Sequence, residues 1–509
     1  MKASSLVFSL LLVLSGTVLG QERFPSSVKN EVLIKFRTAL NDSAAREFVR
    51  KQKGELLEKL GDTGWQRVRL PANLSVTSAV DRFGWSQDVE AVQPNFYYRL
   101  LATPNDPHFG SLWGMTRISA PGAWDLNTGS ESVVVANIDT GIKYDHEDLS
   151  ANMWKNSGEI PGNGIDDDGN GFVDDYYGYD FFFNDPDPMD EHGHGTHTAG
   201  TLGAVGNNGV GVVGVNWNVR IMAIKIYDST GYGTTSSMLI NAYNYVRMMK
   251  ERGVNIKVTN NSYGGCDEAC GFDQATKDAI DALGRAGILQ VFAAGNNGAN
   301  SDINPLYPAA YNSPWIVSVA NSNTIDDRNT TSNYGPLSVD LASPGTGILS
   351  TWLSPGNYAT FSGTSMAAPH VAGAVALIAA HHPTLSAASI KATVLNTVDP
   401  LAQWTGVVRS GGRLNVAQAI SDPTICEFVF PTSNIDLPTK GGHFSLTVTS
   451  APNCDFQAKS NVNWIRVAGA DSFSGGGMPI FRATVNPTIS RSGTISIAGQ
   501  TINVIQSRN

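Results

Sequence analysis

The chain reads as an α/β protein built on a parallel sheet, preceded by a small α/β unit and followed by an all-β sandwich. Three observations predict this. Between about residues 102 and 422, short continuous apolar runs (VVVANID, IMAIKIYD, IKVTNNS, LQVFAAG, WIVSVAN, VDLASPG) alternate with helical patterns such as SSMLINAYNYVRMMKERG and FDQATKDAIDALGRAG. Buried parallel strands joined by crossover helices produce that alternation. From about 424 the helical period vanishes, and FVFP, HFSLTVTS, NWIRVAG, FRATVNP, GTISIAG and QTINVIQS follow at short spacing, as in a sandwich. Before 102, EVLIKF has strand character, SAAREFVRKQKGELLEKL is helical throughout, and VEAVQPNFYYRLL is an extended ending.

Residues 1–20 have the features of a signal peptide: Lys2, an apolar run from Leu6 to Leu14, and a cleavage site at Val18-Leu19-Gly20. That run is too short to span a bilayer comfortably, and no later stretch approaches 18 apolar residues. The expectation is an exported, non-membrane-spanning monomer. Four cysteines fall in two groups, Cys266 with Cys270 and Cys426 with Cys454. In an exported chain an even count favours two disulfides, with a metal site as the alternative. Residues 21–101 carry 13 Lys+Arg against 10 Asp+Glu, whereas residues 102–509 carry 21 against 35. An acidic main body argues against nucleic acid as a partner. It suits cation sites and a basic N-terminal segment that docks on it.

Four segments could carry chemistry. Asp139 ends VVVANID, and the carboxyl ends of parallel strands are where α/β active sites gather. His194 lies in HGHGTHTAGT, where small residues allow a helix to start at once. His192, His194 and His197 also raise a metal site, but the spacing is not H-E-x-x-H, and Glu191 precedes the group. Ser365 lies in FSGTSMAAPHVAG, at the start of an apolar helix expected from Met366 with Pro369 in its first turn. Its N–H and the helix dipole point toward any developing anion, although a lone Ser here is more often an N-cap. Asn296, in VFAAGNNG, offers a side-chain amide as a second oxyanion donor.

The motifs VANIDTGI, HGHGTHTAGT and SGTSMAAPHVAG, in the order Asp, His, Ser, together resemble the subtilases, the subtilisin-like serine peptidases. The resemblance covers about 102–422 and implies a three-layer fold around a central parallel sheet. It also implies a secreted endopeptidase with Ser365 as nucleophile, His194 as base, Asp139 orienting it and Asn296 in the oxyanion hole, needing no cofactor for the chemistry. Segments 230–233 (Gly231, Tyr232, Gly233) and 262–265 (Ser262, Tyr263, Gly264) match the family's substrate-pairing strands. The uncharged walls at 262–265 and 294–295 favour a neutral or apolar residue before the cut. Residues 21–101 resemble the family's inhibitory propeptide, with cleavage near Leu101 and with Tyr98 and Leu101 in apolar pockets.

Structural calcium is expected at two places. Asp166, Asp168, Asn170 and Asp174, with Gly171 for the turn, resemble the first part of an EF-hand loop, although the closing Glu is absent because position 177 is Tyr. Asp106, Asp148 and Asn208, with carbonyls of NNGVGV, resemble the family's strong calcium site. Residues 424–509 resemble BACON-type sandwich modules through Cys426, Cys454, NWIRV and GTISIAGQTINVIQ. For that module a glycan or cell-surface ligand, with Trp464 as a stacking face, is an open alternative to a purely structural role.

Overall fold

The computed structural model describes residues 27–37, 41–97, 103–265, 271–486 and 489–507. The leader, Tyr98, Leu101, Cys266 and Cys270 lie outside the described residues. The chain divides into two compact units, 1–100 and 101–509.

The first unit is an antiparallel sheet in the order Glu55–Lys59, Trp65–Arg69, Ser27–Phe36, Val89–Phe96. Helices Asp42–Lys51 and Val76–Gly84 cover its core of Val32, Ile34, Val49, Val68 and Phe83. The expected single helix over SAAREFVRKQKGELLEKL is corrected: only its first half is helical. Lys53 takes a left-handed conformation (φ 60°), and Gly54 passes so close to the next strand that a Cβ would sit 2.9 Å from the Arg69 carbonyl. The chain therefore leaves the helix, and ELLEK pairs with Trp65–Arg69.

The second unit holds a nine-stranded sheet. In chain order its strands are β1 (Gly129–Asp139), β2 (Gly178–Asp180), β3 (Asn218–Lys225), β4 (Ile256–Asn261), β5 (Leu289–Ala293), β6 (Ile316–Ser322) and β7 (Leu341–Pro344). A hairpin, β8 (Ile348–Thr351) and β9 (Tyr358–Phe361), stands apart, and β10 (Asp399–Pro400) and β11 (Gly412–Arg413) complete the sheet. The order is β10-β11-β7-β6-β5-β4-β1-β3-β2. Every pair is parallel except the outermost, β10 with β11.

Helices α1 (His194–Gly203), α2 (Ser236–Glu251), α3 (Gln274–Arg285), α4 (Thr364–His381) and α5 (Ala387–Asn396) make the outer layers. Side chains of a strand alternate between faces, and β1 fills two cores accordingly. Val133 and Val135 face α1, α4 and α5, whereas Val134, Ala136 and Ile138 face α2 and α3. The strand runs read from the sequence thus all appear, because a strand buried on both faces must be apolar throughout.

Residues 434–506 form the expected sandwich, with sheets of five and three main strands around Phe456, Phe481, Ile495, Ile497 and Val504. FVFP is a correction: it contributes one isolated bridge, Val429 to Thr449, rather than a strand, since Pro431 has no N–H to extend a ladder. Cys426 and Cys454 form a disulfide. The guanidinium of Arg491 lies over the Trp464 ring, 4.3 Å from its centroid, so a face read as open for stacking is partly occupied. No helix among the described residues is long and apolar enough to cross a membrane.

Candidate active site

Asp139 is the last residue of β1, and His194 is the first of α1. Asp139 is buried, and its Oδ1 lies 2.7 Å from His194 Nδ1. The same oxygen accepts the Thr140 amide at 2.8 Å, while Thr198 Oγ1 donates to Oδ2 at 3.3 Å. Burial pulls the His194 imidazole toward its neutral form, but the charge and hydrogen bond of Asp139 outweigh it. The pKa is held above the ordinary histidine value. The side chain nevertheless keeps 27% exposure, so its other nitrogen remains reachable.

Ser365 is the second residue of α4, which starts at Thr364 rather than Met366 and follows Gly363 as N-cap. Pro369 therefore lies beyond the first turn, inside the helix. Its missing N–H would have bonded the carbonyl four residues back, which is that of Ser365. Ser262, just past β4, fills the gap: its hydroxyl donates to Ser365 O at 2.9 Å. In return the Ser365 hydroxyl donates to Ser262 O at 3.0 Å. The nucleophile candidate is thus turned to the groove wall rather than to His194, a looseness common before substrate binds.

Asn296 follows β5, and its orientation is determined by a partner that can only donate. The Thr364 amide bonds Asn296 Oδ1 at 2.9 Å, and Thr364 Oγ1 adds a bond at 3.1 Å. Nδ2 has no protein acceptor among the described residues. The amide group lies beside Gly363, where a Cβ would be 3.6 Å from both Nδ2 and Oδ1 and 3.7 Å from Ser365 N. Ser365 N is one of the first-turn amides that an α-helix leaves without an acceptor. Two donors without an acceptor among the described residues, Asn296 Nδ2 and Ser365 N, thus lie on either side of Gly363 at the start of α4.

Around this centre, Gly231 approaches His192, with a Cβ position 3.2 Å from Nε2, and Asp228 holds the turn through Thr230 and Tyr232. Tyr232 is exposed, and Gly233 sits against Phe182. Tyr263 turns its side chain inward, its hydroxyl bonding Asn261 and Tyr243, so only its backbone faces the groove. Leu306 stands between the two walls: Cβ atoms at Gly265 and Gly295 would lie 2.5 and 2.3 Å from its methyl groups. Nothing local in the sequence marks Leu306, which reaches the site only through the fold.

His192, His194 and His197 do not converge. His197 is buried with Nε2 on the Ile348 and Ala359 carbonyls, and its pKa is lowered to about 4 by burial. Among the described residues, the acidic group whose oxygens come together is Glu159, Asp168 and Asp175. Of the residues expected there, Asp168 belongs to it, and Asn170 borders it through Nδ2 on Asp168 and Asp175. Asp166 instead accepts the amides of Asn170 and Gly171, and Asp174 those of Asn163 and Gly164. Burial raises the Asp175 carboxyl to about 6. At the second place, Asn208 Nδ2 donates to Asp148 at 2.8 Å, and Asp106 accepts the Asn207 amide. Asp106 Oδ1 is buried without a partner, and burial raises the pKa of Asp106. An orphaned carboxylate oxygen beside a second buried carboxylate fits a cation.

Residues 130–420 match the subtilase family, and residues 25–95 match the fervidolysin N-terminal prodomain. Thermitase of Thermoactinomyces vulgaris is 36% identical over 319 residues, covering 62% of this chain and 99% of that protein. A thermophilic serine proteinase of Bacillus sp. (strain AK1) is 31% identical over 402 residues, covering 77% and 88%. Subtilisin-like protease 1 of Plasmodium berghei is 32% identical over 338 residues, covering 62% and 55%. With the sheet and the strand-end cluster already in place, these matches identify the chain as a member of the subtilase family, a serine endopeptidase carried behind its own prodomain.

Proposed function

We propose that peptide bonds are cut by Ser365, activated by His194 and Asp139, with the oxyanion held by Asn296 Nδ2 and Ser365 N. The observation that carries this reading is the 2.7 Å bond between His194 Nδ1 and buried Asp139. It fixes the tautomer whose Nε2 accepts a proton. His194 removes the Ser365 proton as Oγ attacks the carbonyl, then passes it to the leaving amine. Water hydrolyses the acyl-enzyme with His194 again as base. The substrate backbone pairs with 262–264 and 231–233. The enzyme is exported, and prodomain removal occurs near Leu101. A fluorophosphonate probe tests this: wild type is labelled on Ser365, and His194→Ala is not. Labelling elsewhere, or undiminished labelling of His194→Ala, sinks it.

Leu306 makes the pocket before the cut shallow, so small apolar residues are preferred there. Leu306→Gly raises kcat/KM for Phe relative to Ala at that position by roughly 10- to 100-fold, as removal of a few methylenes does. Paired peptide substrates measure it, and an unchanged ratio counts against Leu306 as the floor.

Calcium is structural, held by Asp106, Asp148, Asn208 and the carbonyls near them, and by Glu159, Asp168 and Asp175. Chelation shortens the half-life on heating without an immediate loss of activity. Calcium about a hundredfold above its Kd restores roughly 3 kcal/mol. Immediate loss, restored specifically by zinc, contradicts this. The C-terminal sandwich serves as a clamp on the peptidase rather than as a glycan binder.

A further inference from the structure

Helix α1 begins with His194, yet its N-cap, Gly193 (φ 100°), has no side chain to cap it. The first amides of a helix need acceptors, and here they come from elsewhere in the fold. Gly195 N donates to Thr140 Oγ1 at 2.9 Å, and Thr196 N to Asp190 Oδ2 at 2.9 Å. Asp190 is almost fully buried, and its carboxylate takes four further bonds. Thr196 Oγ1 reaches Oδ2 at 2.6 Å, while Thr140 Oγ1 (2.9 Å), His192 N (3.0 Å) and Gly193 N (2.8 Å) reach Oδ1.

Thr140 is the residue after Asp139, and its amide bonds the Asp139 oxygen that holds His194. One buried carboxylate is therefore tied to both halves of the Asp139–His194 pair. On one side it is bonded to the loop and first turn that carry His194, and on the other to the strand end that carries Asp139. Burial pushes the Asp190 pKa up, and the bonds from Thr196, Gly193 and Thr140 act against that shift, at a helix N-terminus whose dipole favours the anion.

We propose that Asp190, acting through Thr140 and Thr196, is a positioning residue that holds His194 in register with Asp139. It touches neither substrate nor nucleophile. Its negative charge also supports the imidazolium that forms during turnover: burial works against the charged ring, and Asp190 adds to the larger opposing effect of Asp139. The other ionisable groups nearby are His192 and His197, which flank His194, and the Lys225–Glu191 pair. Lys225 of β3 is engaged with Glu191 Oε2 at 2.8 Å and with the Thr140 carbonyl at 3.0 Å.

The inference rests on His194 being the general base. The test uses mature enzyme from the full chain, processed in trans by trace wild type where self-processing stalls. Asp190→Asn keeps the shape, removes the charge, and faces some of the five donors with an NH2 group. The expected result is a kcat 10- to 100-fold lower, a KM within about twofold, and an acidic limb of kcat/KM moved to lower pH. Thr140→Val breaks the link but leaves the charge, so kcat falls while the limb stays, and Thr140→Ser restores kcat. If Asp190→Asn does not fold, the Thr140→Val and Thr140→Ser pair decides alone. Asp190→Asn within threefold of wild type with an unmoved limb overturns the proposal. So does Thr140→Val with unchanged kcat, or a loss that Thr140→Ser does not restore. Failure of the underlying reading looks different: His194→Ala would then stay active, whereas failure of this inference alone leaves His194→Ala inactive.

Discussion

Full-length Ser365→Ala remains as an uncleaved precursor, and after processing in trans its kcat is about 10⁶-fold below wild type. The fold is expected to survive, because the lost hydroxyl bonds only the Ser262 carbonyl at a half-exposed position. His194→Ala reaches a similar floor, and the double variant falls no lower, since groups acting as one unit are not additive. The residual rate over water comes from the two oxyanion donors, which neither substitution removes. Gel analysis of the precursor and burst kinetics on an ester substrate measure this. Self-processing by purified Ser365→Ala would remove Ser365 from the mechanism.

The second large effect concerns stability and involves none of the catalytic candidates. Asp455→Ala destabilises the protein by roughly 3–5 kcal/mol, as losing one partner of a buried charge network does. Asp455 belongs to the C-terminal sandwich, and its carboxylate meets two cations of the peptidase. Lys391 Nζ, on α5, lies at 2.8 Å, and Arg409 makes bonds of 2.7 and 2.9 Å. Lys391 is only 2% exposed and would lose its counter-ion.

The neighbouring residue, Cys454, is bridged to Cys426, whose amide bonds Ser389 on the same helix. Gln457 and Asp471 add contacts to Asp281 and Lys277 on α3. Burial would raise the Asp455 pKa, but Lys391 and Arg409 hold it well below its ordinary 3.8. The contribution is therefore complete above about pH 4 and is lost only as pH falls below that. Urea unfolding in a Ser365→Ala background, free of autolysis, should give one transition for the parent and a lower midpoint for Asp455→Ala. Two independent transitions in the parent would mean the sandwich is not part of the peptidase's cooperative unit.

The two predictions draw on features of unequal legibility. The triad candidates could be read because their motifs are local: each residue sits at a strand or helix end that its neighbours dictate. The parallel strands could be read because burial on both faces leaves unbroken apolar runs. Lys391 and Asp455 could not, since 64 positions separate two residues that look solvent-exposed in isolation. Glu159 and Asp175 escaped for a related reason. A linear ligand spacing picks out Asp166 and Asp174, whereas the turns of the loop assign these two to backbone amides, use the adjacent Asp175 instead and draw in Glu159 from outside the motif. Asp190 carries no signal beyond an Asp before a Gly-rich stretch, and Leu306 is distant in sequence from both walls that it separates. The break at Lys53 leaves no mark in the sequence, because helical periodicity continues through a Lys-Gly pair whose backbone turns away.

The exchanged bonds between Ser262 and Ser365 have a mechanical consequence. Pro369 releases the start of α4 from its own ladder, and the groove wall takes up the free carbonyl. Wall and nucleophile are thus tied directly to each other by two hydrogen bonds. A peptide that straightens residues 262–264 by pairing with them would tug on Ser365 in the same motion, so recognition of main chain and readiness to attack share a single linkage. Substitutions that tilt β4 would then be felt as slower turnover more than as weaker binding.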